Sequence, residues 1–133
     1  ESVLDVLPAF SDERGAITNL AAPAQHVAVI TSRAGSRRAG HWHPDDHQFM
    51  YLVSGGYRAV TQQVDAQGGL VPDTKRDRVI EPGQLVCCPP RVAHEYEFAE
   101  DSVFLNITTV SRDPARFADH TIRLPRSLFE DRK

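Results

Sequence analysis

Long apolar runs, helix signals and cysteine are all scarce in this 133-residue chain. No stretch approaches the ~20 consecutive apolar residues needed to span a bilayer, and no basic start with an apolar middle marks a signal peptide. The expectation is a soluble, cytoplasmic protein without a membrane partner; because the first residue is Glu1 and not Met, a leader removed ahead of it stays open. Basic residues number 15 against 18 acidic ones, and apart from Arg33, Arg37 and Arg38 they are scattered, so no nucleic-acid partner is expected. The two cysteines are neighbours, Cys87 and Cys88. Adjacent side chains of a strand point to opposite faces, so a mutual disulfide would be strained, and both read as reduced strand residues rather than metal ligands.

What is present is ordinary globular material: 41% apolar and 25% charged residues leave no room for long disordered tracts, and the length suits one domain spanning residues 1–133. Short β-branched and aromatic runs recur at 26–32, 48–54, 57–64, 78–81, 85–89, 95–98 and 103–110, separated by turn residues. That rhythm predicts an all-β barrel or sandwich. Ser54-Gly55-Gly56 predicts a tight hairpin, 65–77 a long surface connection, and Pro82-Gly83 a turn. One short helical turn is expected at 113–118, capped by Asp113 with Pro114 at its first position. Trp42, Phe49, Met50 and Tyr51 read as barrel core and wall.

Three of the six histidines fall within Gly40-His41-Trp42-His43-Pro44-Asp45-Asp46-His47-Gln48. On an extended segment His41 and His43 share one side, which lets two imidazoles reach one ion. His94 is the candidate third ligand, because His94, Tyr96 and Phe98 alternate with Glu95 and Glu97 and so share an apolar face. Imidazoles suit zinc, iron, nickel, manganese or copper, and residue types do not choose among these divalent transition metals. Gln48 is the candidate fourth ligand or supporting group, with His47 as its alternative. Tyr96 is the candidate pocket hydroxyl, while His26 and His120 read as structural or surface residues.

These residues resemble the cupins, whose motifs read G-x5-H-x-H-x3-4-E-x6-G and G-x5-P-x-G-x2-H-x3-N. Gly35 stands six before His41, His43 follows, and Gly55 lies seven beyond Gln48, which replaces the motif's glutamate. Gly83, Pro89 and His94 keep the second spacing, with Arg91 at a glycine position and Phe98 at an asparagine position. The resemblance covers about 35–55 and 83–98 and implies a jelly-roll barrel, the cupin double-stranded β-helix. A narrower likeness rests on Arg38-Ala39-Gly40-His41-Trp42-His43, His47-Gln48-Phe49 and Asp12-Glu13-Arg14-Gly15, which are similar to segments of the sugar-nucleotide ketoisomerases. Those are cupin-fold enzymes that carry glutamine in place of the glutamate, work without a metal, and use paired histidines to move protons between sugar carbons. The chain departs from them at Ala39, which separates arginine from glycine, and at His94.

Four functional readings follow. The first is a metal-dependent isomerase, epimerase or lyase acting on a small polar or sugar-derived substrate, with His41, His43, Gln48 and His94 around the metal and Tyr96 assisting. The second is a metal-free sugar-nucleotide ketoisomerase using His41 and His43. An iron-dependent dioxygenase and a non-catalytic ligand-binding cupin are the others. Sheet edges and the long segment 3–19 predict a homodimer in which terminal strands add to the partner's sheet.

Overall fold

Alternation of apolar and polar residues along short strands produces sheets with one face in and one face out, and that pattern governs the whole molecule. The computed structural model describes residues 1–4, 7–20, 22, 24–109 and 121–129. Its strands are β1 (Ser2–Leu4), β2 (Leu7–Asp12), β3 (Gly15–Asn19), β4 (His26–Ser32), β5 (Arg37–Trp42), β6 (Gln48–Gln63), β7 (Arg76–Ile80), β8 (Leu85–Cys88), β9 (Val92–Thr108) and β10 (Ile122–Arg123). Every regular element among the described residues is a strand, and no helix there is long and apolar enough to cross a membrane. The helical turn expected at 113–118, like His120, lies outside the described residues.

Strands β6 and β9 pair antiparallel along almost their full length, from Gln48↔Thr108 to Gln63↔Val92. Both bend midway, so each serves two sheets. One sheet runs β1-β8-β6-β9-β4 through the Gln48 end of β6, and the other runs β7-β6-β9-β5-β10 through its Gln63 end. The barrel is thus of the cupin jelly-roll type. β1 pairs with β8 of its own chain, while β2 and β3 form a separate two-stranded ribbon closed by Asp12 and Arg14.

Ser54-Gly55-Gly56 does not make the expected hairpin. Strand β6 runs straight through it, and the register with β9 shifts between Leu52 and Tyr57, so the glycines form the corner at which the sheet bends. A sharp bend of a paired strand needs the same glycine freedom as a turn, which is why the two look alike in sequence. Gly55 has φ +97°, and a Cβ there would come within 2.1 Å of Ser102 Oγ and 2.6 Å of the Asp101 carbonyl. Gly55→Ala is therefore expected to cost about 2–3 kcal/mol, measured by urea unfolding. An unchanged midpoint would show that the corner relaxes freely.

Between the sheets lies a core of Met50, Leu52, Tyr57, Ile80, Val86, Tyr96, Phe98 and Phe104. Trp42 and Phe49 belong elsewhere, because strand alternation turns them to the outer faces. Trp42 is buried with Val60, Val64 and Ala93 beneath Leu128 and Phe129, whereas Phe49 packs with Leu85 and Ile107 against Leu4, Leu20 and Ala22.

Candidate functional site

The histidines are brought together by a defect in β5. Arg37, Arg38 and Ala39 pair in step with Glu97, Tyr96 and Glu95, but His41, not Gly40, pairs with His94. One extra residue is accommodated where Ala39 and Gly40 both take positive φ, 71° and 74°. Without that bulge, period-2 alternation would put His41 opposite Ala93 and on the outer face. The Ala39 insertion noted in the sequence is thus part of what turns His41 inward.

The rings of His41, His43 and His94 are mutual neighbours, with centroids 4.7, 4.8 and 5.4 Å apart, and their ligand atoms lie within 4.8 Å of one another. His43 and His94 are buried, and His41 is half-buried. The His94 ring stacks on Tyr96 at 5.5 Å, as the alternation along β9 predicts. Its Nδ1 is 3.0 Å from the Val92 carbonyl oxygen and 3.3 Å from Cys88 Sγ. A carbonyl only accepts, so Nδ1 carries a proton and, in the neutral ring, Nε2 presents its lone pair. His43 Nδ1 lies 3.4 Å from Thr121 Oγ1.

A cavity of about 280 Å³ opens above this cluster, lined by Ile30, Arg38, Ala39, His41, Gln48, Met50, Tyr96, Phe104, Asn106 and Arg123. Gln48 Nε2 donates to Asn106 Oδ1 at 2.8 Å; Gln48 Oε1 and the Tyr96 hydroxyl are buried without a hydrogen-bond partner among the described residues. Burial pushes the Tyr96 hydroxyl well above the ordinary tyrosine range, so at neutral pH it is an O–H donor and not a phenolate. Burial likewise raises the Cys88 thiol, which stays protonated beside His94. A larger cleft of about 780 Å³ at the β6–β9 corner, between Gly55, Pro82 and Glu100, contains no histidine.

Of the residues singled out in the sequence, His41, His43, His94, Tyr96 and Gln48 converge on this region, whereas His47 does not. His47 is exposed, because the alternation that buries Gln48 turns its neighbour outward, so it does not complete a histidine set. Sequence reasoning overlooked Asn106 and Arg123 on the cavity wall and Thr121 beside His43, whereas Cys88, beside His94, is one of the two strand cysteines of which one was expected to face the pocket. Only Asn106 carried a usable signal, standing two residues from core Phe104 on the same strand face. Three imidazoles, one braced by a backbone carbonyl, are a donor set that fits a borderline divalent ion.

No family model matches the chain, and no curated protein matches it. Solved structures do. The sugar 3,4-ketoisomerase QdtA of Thermoanaerobacterium thermosaccharolyticum, in complex with TDP, is 19% identical over 93% of this chain and 88% of that one, at a TM-score of 0.74. A mutant of that enzyme is solved with TDP-4-keto-6-deoxyglucose. The TDP-quinovose 3,4-ketoisomerase WlaRB of Campylobacter jejuni is 16% identical over 92% and 91%, at 0.72. The dTDP-4-dehydrorhamnose 3,5-epimerase of Sulfolobus tokodaii is 18% identical over 85% and 70%, at 0.68. At these identities the likeness establishes the cupin-type fold.

Proposed function

We propose that this chain is a sugar-nucleotide ketoisomerase that moves a carbonyl between adjacent carbons of a keto sugar, using His41 and His43. The observation that carries the reading is the make-up of the cavity: an imidazole and a neutral tyrosine hydroxyl share one wall with Gln48, whose amide is tied to Asn106 where metal cupins place a carboxylate. The similarity to structures solved with TDP and with a TDP-keto sugar supports it.

In this mechanism one imidazole removes the proton from the hydroxyl-bearing carbon next to the carbonyl, and the carbonyl oxygen is protonated to give an enediol. Return of the proton to the former carbonyl carbon, with loss of the other hydroxyl proton, completes the shift. No oxidant or reductant is consumed. His41, on the cavity wall, faces the reacting carbons, and His43, one ring deeper, exchanges protons with it. The Tyr96 hydroxyl donates to the oxygen on which negative charge develops.

The convergence of His94 on the pair favours a second reading, in which His41, His43 and His94 hold a divalent transition metal with Gln48 alongside. Bound there, such an ion would supply Lewis-acid polarisation of a substrate oxygen. Turnover of TDP-4-keto-6-deoxyglucose in deuterated water separates the two. The metal-free reading expects deuterium at a ring carbon, activity that survives chelation, and a loss for His94→Ala much smaller than for His41→Ala. Activity abolished by chelator and restored by one equivalent of metal would establish the second reading. Absence of both turnover and deuterium exchange would refute the isomerase.

A further inference from the structure

The geometry points to Thr121 as a positioning residue for His43: its hydroxyl holds the buried imidazole at Nδ1 and leaves the ring free to pass a proton in either direction. This role rests on the isomerase reading, which supplies the proton that is passed. Two histidines of one cluster are braced in opposite ways.

His94 Nδ1 meets the Val92 carbonyl oxygen at 3.0 Å, and because a carbonyl only accepts, the proton of that ring has one fixed place. His43 Nδ1 instead lies 3.4 Å from Thr121 Oγ1, and both residues are buried. A hydroxyl donates or accepts according to how its hydrogen is turned. It donates to Nδ1 when that nitrogen carries a lone pair and accepts from it when it carries a proton. Either neutral tautomer and the protonated ring are therefore held in the same place. A carboxylate in this position would favour the charged ring, and a carbonyl would bar the tautomer with its lone pair on Nδ1.

The strand ladder puts the hydroxyl there. Ile122 pairs with Trp42 and Arg123 with His41, so the same register sets Thr121 opposite His43. Leu124 N donates to the Gly40 carbonyl at 2.9 Å, which makes Leu124 and Gly40 a hydrogen-bonded pair. Alternation along an antiparallel ladder then gives Thr121 and His43 a position without such bonds, where facing side chains approach most closely. Threonine is β-branched and stiff at χ1, so the strand fixes the place of its oxygen as well as of its backbone.

Strand β10 is short, and the segment after it is latched to the barrel. The Glu95 carboxylate accepts from Ser127 Oγ and Leu128 N at 2.8 and 2.7 Å, and Lys75 Nζ donates to the Leu128 carbonyl at 3.0 Å. Phe129 lies under the guanidinium groups of Arg37 and Arg58. Glu95 follows His94 on β9 with its side chain on the opposite face, so the strand that supplies one histidine also anchors the segment that braces another.

The test joins steady-state kinetics on a 4-keto sugar nucleotide with imidazole nitrogen NMR of the full chain after treatment with chelator. Thr121→Val keeps the shape and removes the hydroxyl; it is expected to lower kcat roughly three- to tenfold with KM changed less than about twofold, and Thr121→Ser to recover most of the loss. In a His43→Ala background Thr121→Val should change nothing further, because the hydroxyl acts through that ring. The His43 Nδ1 signal should move in Thr121→Val and return in Thr121→Ser, with that of His94 unmoved. Wild-type kcat for Thr121→Val, an equal loss when His43 is already absent, or an unmoved His43 signal would each overturn the assignment even if isomerisation is real. The expected NMR shifts in a chain that turns over no keto sugar would establish the hold of Thr121 on His43 and remove the isomerase reading instead.

Discussion

His41→Ala and His43→Ala are each expected to lower kcat on a 4-keto sugar nucleotide by about 10²–10⁴-fold, the range over which a positioned acid or base contributes. The two losses should not multiply. Their rings are 4.7 Å apart and, in the proposed mechanism, serve one proton-transfer path, so the double variant should fall little below the worse single one. Folding should persist, because the apolar core between the sheets is formed by other residues. Steady-state kinetics with circular dichroism checks both points. Fully retained turnover in either variant would remove that histidine from the mechanism, and losses that multiply would show two independent roles.

The largest stability effect is expected at Phe98. Its ring is fully buried, 5.3 Å from that of Tyr57 and stacked at 5.6 Å on that of Phe104. Phe98 lies just before the bend of β9 and Phe104 just after it, so this contact ties the two sheets together. Phe98→Ala should cost about 3–5 kcal/mol through lost burial and the cavity left behind. That is a large part of the roughly 5–15 kcal/mol by which most domains are stable. Urea unfolding should show a lower midpoint with an unchanged slope. A cost under about 1 kcal/mol would mean that neighbouring side chains close the gap.

Much of the site was readable before the fold was known, and the reasons are local. The stretch 26–32 forms strand β4 with those bounds, since its β-branched alternation fits only one pleat. Arg91 occupies a motif position reserved for glycine, and its φ is +59°, the conformation that glycine would supply. The strain is offset by its guanidinium, 4.9 Å above the Trp42 ring and donating to the Asp65 carbonyl. What could not be read was where one strand serves two sheets. The runs at 48–54 and 57–64 meet in one strand, Gln48–Gln63, and the run at 95–98 shares the strand Val92–Thr108 with the run that starts at 103, because a corner and a turn recruit the same small residues. Arg123 was hidden for a different reason: it comes from a short strand far along the chain, placed by tertiary contacts that leave no periodic signature.

The sharing of β6 and β9 also governs how the barrel can move. Two sheets joined only by loops can swing apart about a hinge and open what lies between them. Here such a swing would have to distort the β6–β9 pairing on both sides of the irregular stretch Leu52–Tyr57. The shared strands therefore resist separation of the two sheets. Adaptability is left to what is laid over the sheets, above all residues 121–129, whose grip on Glu95 can loosen without disturbing a single pair of the β6–β9 ladder.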